Sequence, residues 1–207
     1  MTVKSPFFIR QEFLSPLLCE EIVDKLAMFT ADTDPDGKPI KTAKGHEYSE
    51  EKIFLVFKEL IPSIEKYYNF KYRGAEPMLF EWFPQGCKGE TPHCENSGYV
   101  NKKWVRQKDR DFTCIIFFSN LQEKIPFDEE FEVLGGKLEF VQHQFGFNPE
   151  RGTLIIFPSG PHFINNTAPI VVGDLFQVRF HLAAAKPYHY NPKLFPGDYT
   201  NWFKNIS

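Results

Sequence analysis

The chain has 207 residues, with 24 Lys and Arg against 27 Asp and Glu, a formal charge of −3, and 42% apolar and 25% charged residues. That balance excludes a general attraction to nucleic acid or to anionic membrane. Phe 23, Tyr 8 and Trp 3 make 16% of the chain, and so much aromatic carbon excludes disordered, collagen-like or low-complexity sequence.

No run of 18 apolar residues is present, so no transmembrane helix is predicted. The start, MTVKSPFFIRQEF, lacks the apolar core of a signal peptide. Cys19, Cys87, Cys94 and Cys114 form no CxxC pair; reduced thiols in a cytoplasmic compartment are the expectation.

Ser15 and Pro16 form an N-cap and first-turn pair. Leu17, Leu18, Ile22, Val23 and Leu26 then recur at helical spacing and predict a first helix, with Glu20 and Glu21 in its early turns. Residues 30–44 are polar and turn-rich and read as a loop. A second helix is predicted from near Ser49, with Ile53, Phe57, Leu60, Ile61 and Ile64 on one face and Pro62 kinking or dividing it.

From about residue 69 the period changes to 2. Met78, Phe80 and Trp82 alternate, and 112–120, 137–142, 152–158 and 175–182 read as short strands rich in β-branched and aromatic residues. Gly135-Gly136 and the Pro/Gly cluster at 158–161 punctuate them. Helices followed by strands predict one α+β domain over 1–207, a β-sandwich or barrel with helices packed outside one sheet. Its helical part covers about 14–68, its β core about 69–185, and 186–207 form an irregular aromatic tail that packs across the domain or mediates self-association.

Four features could carry chemistry. In an extended segment His93 and Glu95 point to the same side, an imidazole and a carboxylate able to hold a divalent transition metal, or else a solvated pair in a polar loop. His162, just after the apolar strand 152–158, could supply a third ligand from across a barrel, giving the two-His-one-carboxylate face of non-haem Fe(II) oxygenases; a lone His in a turn is more often satisfied locally. Arg179 lies amid strand hydrophobics at inward parity. If buried it needs an anion, and its fork suits a carboxylate; the alternative is the solvent face of an edge strand.

The fourth feature is the basic stretch 102–110 around Trp104. It reads as a solvated loop or as a substrate lid built from Lys103, Trp104, Arg106 and Arg110. His143 is a fallback third ligand, and His181 shares the parity of Arg179. Cys94 has the parity opposite to its neighbours and is not a ligand. Asn165 and Asn166 either hydrogen-bond a cosubstrate or form a turn.

Jointly these segments resemble the Fe(II)/2-oxoglutarate-dependent oxygenases in their prolyl 4-hydroxylase-like branch. PHCENS (92–97) is similar to that branch's His-x-Asp segment, 110–120 to its RxxT strand, 135–140 to its GG-turn strand, and 149–157 to the strand leading to its distal histidine. The likeness spans about residues 5–185. It implies a double-stranded β-helix core, jelly-roll or cupin-like, with the N-terminal helices packed on one sheet.

The resemblance further implies Fe(II) held by His93, Glu95 and His162, with 2-oxoglutarate paired to Arg179, Thr113 assisting, and O2 as oxidant. The activity implied is hydroxylation of a C–H bond, of a prolyl or other amino-acid side chain, with release of succinate and CO2. The carboxylate is Glu where this branch usually has Asp. Arg179 follows His162 by seventeen positions, where the branch's basic residue lies nine to eleven on.

Two other readings stand beside it: a cupin-like metal dioxygenase or isomerase that does not use 2-oxoglutarate, and a non-catalytic β-sandwich binding module with a vestigial metal site. The substrate is a small molecule, a free amino acid, or a peptide or protein side chain. No membrane and no nucleic-acid partner is implied.

Overall fold

The structure, a computed structural model, describes residues 4–29, 40–42, 46–122 and 132–197. Helix α1 spans Pro16–Phe29, and the Ser15 hydroxyl accepts from the Leu18 N–H at 3.3 Å, capping a donor the helix cannot satisfy itself. Cys19, Ile22, Val23 and Leu26 are buried, whereas Leu17 is exposed despite its apolar character. Helix α2 spans Glu47–Tyr68, beginning two residues before Ser49. Pro62 lies inside it without dividing it, because the proline is on the solvent side, where water can replace the missing backbone bond. Asn69, at φ 55°, ends the helix by returning its N–H to the Glu65 carbonyl.

The strands are β1 (Phe8–Arg10), β2 (Ile40–Thr42), β3 (Tyr72–Ala75), β4 (Leu79–Phe83), β5 (Ser97–Val100), β6 (Lys103–Arg106), β7 (Phe112–Phe117) and β8 (Asn120–Gln122). They continue as β9 (Glu132–Gly135), β10 (Leu138–Phe140), β11 (Phe145–Phe147), β12 (Leu154–Pro158), β13 (Asn165–Thr167), β14 (Ile170–Val172) and β15 (Leu175–Ala184). β2 falls inside the segment read as a loop; the rest of 30–44, apart from those three residues, lies outside the described residues. The predicted strand 112–120 breaks after Phe117 and resumes at Asn120, and 137–142 ends at Phe140 in a 3-10 turn.

The large sheet runs β1-β12-β7-β15-β4-β2, with β3 also on β15. A smaller sheet, β11-β10-β13, faces it, and almost every pairing is antiparallel. Alternation along each strand of the large sheet sorts its residues between two clusters. Phe80, Cys114, Ile156, Val178 and Phe180 pack with Ile53, Phe57 and Ile64 of α2 on the outer face. Ile115, Phe117, Ile155, Phe157 and Leu175 pack on the inner face with Leu138 and Phe140 of β10. The helices therefore cover one sheet, as predicted, and the second cluster fills the interior of an α+β sandwich.

The glycine turn forms as read: Gly135 and Gly136 have φ 93° and 71°. A Cβ on Gly135 would lie 2.3 Å from the Pro169 carbonyl oxygen, so the sheet connection needs glycine there. In the tail, Tyr188 packs on Phe112 with ring centroids 4.6 Å apart and Phe195 is buried. The described part of the tail thus crosses the domain, and 198–207 lie outside the described residues. No helix among the described residues is long and apolar enough to cross a membrane.

Candidate functional site

The inner face of the large sheet is apolar at one end only. At the other end Glu81 of β4 and Gln177, Arg179 and His181 of β15 point inward, each flanked by apolar residues of the opposite parity. Across the interior, the segment carrying Glu90, His93 and Glu95 is tied to β13 by a two-way backbone bridge, His93 N–H to Asn165 O at 3.0 Å and Asn165 N–H to His93 O at 3.1 Å. Antiparallel partners of this kind present their side chains together, so Asn165 is the neighbour of His93. A cavity of about 380 Å³ opens here, lined by Glu76, His93, Glu95, Arg110, Arg179 and His181 among others.

Arg179 organises the centre. Its Nε lies 3.3 Å from Glu81 Oε2 and its Nη2 3.0 Å from Glu90 Oε2, while Nη1 donates to Glu95 Oε1 and, at 3.2 Å, to Asn165 Oδ1. All three carboxylates and the arginine are nearly inaccessible, the arginine at 4% exposure. Burial disfavours the charged guanidinium, but the carboxylates outweigh it and raise its pKa. Burial likewise pushes the Glu95 carboxyl up; Arg179 and the hydrogen bond from His93 prevail and hold it well below the usual carboxylate range.

The two histidines differ. The hydrogen bond to Glu95 raises the His93 pKa against its burial, and His93 Nδ1 donates to the Thr91 carbonyl at 3.0 Å. Burial pushes His181 down to about 4, so it is neutral near pH 7, with Nδ1 3.4 Å from the Thr113 hydroxyl and Nε2 3.6 Å from Glu95 Oε2.

Of the residues singled out from sequence, His93, Glu95, Arg179 and Thr113 come together. Thr113 bonds Ser159 at 2.8 Å and reaches Arg179 only through His181 and Glu95. Arg110 stands at the rim, its guanidinium on Glu76 at 2.6–2.8 Å and 3.7 Å from Glu95 Oε2. Arg106 is taken up by Asp111 at 2.9 Å and Asp109 at 3.0 Å, which fasten the β5–β6 hairpin. Lys103 and Trp104 lie exposed on that hairpin, with Trp104 against Tyr99 at 5.2 Å.

His162 is not brought to His93 and Glu95. It sits exposed in the 3-10 turn Pro161–Phe163, with its ring 5.2 Å from Tyr190 and its carbonyl accepting from His143 Nε2 at 2.9 Å. The reason is register: the backbone bridge sets Asn165, three positions later, opposite His93. Among the described residues no three His, Cys, Asp or Glu side chains are placed to hold a metal ion. The donors present therefore do not fit Fe(II) on two histidines and a carboxylate. Nor does Arg179 suit a 2-oxoglutarate carboxylate, since Nε, Nη1 and Nη2 each already bond one.

Sequence reading missed Glu81 and Glu90 as the partners of Arg179. Glu81 had a signal: it is the one charged residue of the strand LFEWF, placed between Phe80 and Trp82 and hence on the face opposite to them. Glu90 had none, being a carboxylate in a polar loop.

No family profile and no curated protein matches the chain by sequence. Solved structures do match it. A viral collagen prolyl hydroxylase, vCPH from Paramecium bursaria Chlorella virus-1, in its 2OG complex, superposes with TM-score 0.65 at 15% identity, over 88% of this chain and 97% of that one. A Pseudomonas putida prolyl-4-hydroxylase gives 0.63 at 12%, over 88% and 94%. A Trichoplax adhaerens prolyl hydroxylase, in complex with a hypoxia inducible factor oxygen degradation domain peptide fragment, gives 0.61 at 12%, over 86% and 84%. The chain has the prolyl 4-hydroxylase-like fold, in agreement with the resemblance read from its sequence.

Proposed function

We propose that this chain is a single-domain binding module on the prolyl hydroxylase fold, its sandwich a double-stranded β-helix, which holds a polar ligand or peptide side chain beside an arginine–carboxylate centre and uses no iron there. The observation that carries this reading is the saturation of Arg179 by Glu81, Glu90 and Glu95, with Asn165 where a third metal ligand would stand. The cavity wall carries charges of both signs: Glu76 paired with Arg110, Glu95 3.7 Å from the same guanidinium, and Lys108. A free amino acid, or a peptide segment carrying both charges, complements such a wall. A structural relative in complex with a peptide fragment supports the peptide alternative.

The test is an assay of the purified chain with Fe(II), 2-oxoglutarate and O2 against amino acids and proline-containing peptides. No succinate above the Fe(II)-free control is expected, alongside ligand-dependent thermal shifts with part of the same panel. Fe(II)-dependent succinate release that disappears in His93→Ala would overturn this reading.

A second reading, an Fe(II)/2-oxoglutarate dioxygenase hydroxylating a prolyl or other side chain, is favoured by the shared fold and by the His93–Glu95 pair, Nε2 to Oε1 3.2 Å apart. It requires Arg179 to leave Glu95 and a further ligand to arrive. A cupin-like dioxygenase without 2-oxoglutarate makes the same demand on Arg179.

A further inference from the structure

Three side-chain atoms converge on one guanidinium nitrogen. His93 Nε2 at 3.5 Å, Asn165 Oδ1 at 3.2 Å and Glu95 Oε1 all surround Arg179 Nη1. They come from two backbone segments locked together by the His93–Asn165 bridge, so their convergence does not depend on the arginine's own strand. His93 is also oriented independently. Its Nδ1–H donates to the Thr91 carbonyl, which directs Nε2 inward, the arrangement by which a second partner commonly fixes a metal-binding imidazole. Glu81 and Glu90, on the far side of the same guanidinium, bring the buried carboxylates around the single cation to three.

From this we infer that the Arg179 guanidinium is a built-in cation filling a divalent-cation site, so that the chain's own side chain closes a site that His93 and Glu95 are otherwise arranged to form. The inference rests on the reading of this centre as iron-free. It goes further, in saying that the metal position is occupied from within rather than dismantled. A dismantled site would be lined by apolar residues, whereas this one keeps an inward imidazole, a carboxylate and an amide oxygen. Without the guanidinium these groups are left with excess negative charge in a buried place, only part of it met by Arg110 at 3.7 Å from Glu95 Oε2, which selects for a replacement cation.

The experiment titrates Co(II) into the full-length wild type, Arg179→Ala, Arg179→Gln and the double variant His93→Ala/Arg179→Ala. Calorimetry, the visible cobalt spectrum and thermal unfolding are the readouts. Wild type is expected to show no specific binding. The two Arg179 variants are expected to bind Co(II) at one site, with ligand-field bands and a raised unfolding temperature, and the double variant to bind about tenfold or more weakly.

Arg179 variants that bind Co(II) no better than wild type, or equally well without His93, overturn the inference and leave the iron-free reading standing. Wild type that binds Co(II) tightly and also releases succinate with Fe(II) overturns that reading itself. Should either single variant be recovered only as unfolded chain, it is refolded with Co(II) or with methylguanidinium. Recovery with Co(II) supports the inference, and failure to recover with Co(II) overturns it.

Discussion

Phe180 and Arg179 are neighbours in β15, and both are almost wholly buried, yet they enter different environments. On the outer face Phe176, Val178, Phe180 and Leu182 join the helices in a dry apolar cluster, with Phe180 edge-on to Phe57 at 5.0 Å. On the inner face Gln177, Arg179 and His181 are as inaccessible as those phenylalanines and are surrounded by polar partners. A strand buried on both faces has no solvent side to receive its charges, so each must be neutralised internally. The outer face draws its stability from removing carbon from water, about 1.5–3 kcal/mol for each large side chain. The inner face gains little net stability from its ion pairs but loses a great deal when one partner is removed.

That contrast predicts two large effects of different character. Phe180→Ala should cost about 3–5 kcal/mol, and Arg179→Leu, which strands three buried carboxylates, about 3–5 kcal/mol near pH 7. Acid separates them. In the wild type the Glu95 carboxyl is held below its ordinary range, so its contribution is present above that range and is lost as pH falls through the depressed value. In Arg179→Leu the largest attraction is gone and burial weighs against the remaining hydrogen bond from His93, so the carboxyl pKa rises from its depressed value. It takes up a proton in mild acid, and the deficit against wild type narrows as pH falls. The deficit of Phe180→Ala should stay constant. Urea midpoints for the two variants at pH 7 and about pH 5 check this, and an Arg179→Leu deficit that ignores pH would break the distinction between the faces.

The outer face was legible because it obeys one rule. Ile53, Phe57 and Ile64 at helical spacing, then Phe80, Val178 and Phe180 at period 2, declared which side of each element was apolar. The need of Arg179 for an anion was also readable, since a buried guanidinium in an apolar strand has no other solution. The identity of that anion was not. Glu90 and Glu95 reach Arg179 from a segment more than eighty residues earlier, and only the pairing of that segment with β13 decides what stands opposite His93. A shift of three residues in that pairing separates His162 from Asn165, and neither hydrophobic periodicity nor spacing encodes it.

A smaller effect probes the same boundary. The Thr113 hydroxyl, buried beside outward-facing Cys114, bonds Ser159 and His181. Thr113→Val keeps the shape but leaves those partners unsatisfied, and should lower stability by about 1–2 kcal/mol. An unchanged urea midpoint would mean that the polar face tolerates apolar packing as readily as the outer one.

The smallest expected stability change lies outside both faces, on the β5–β6 hairpin. Tyr99 and Trp104 form a cross-strand pair there, 63% and 41% exposed, and the hairpin is fastened at its base, where Arg106 meets Asp111 and the Gln107 and Lys108 N–H groups donate to the Asn96 carbonyl at 2.8 and 3.1 Å. Exposed side chains with few neighbours contribute little to folding, so Trp104→Ala should move the urea midpoint by no more than about 0.5 kcal/mol. If the hairpin covers a ligand seated in the cavity, the same variant should weaken the ligand-dependent thermal shift while leaving the unliganded unfolding temperature in place. A variant that lowers the unliganded stability as much as Thr113→Val does would make the aromatic pair a structural clasp and leave the cavity without a cover.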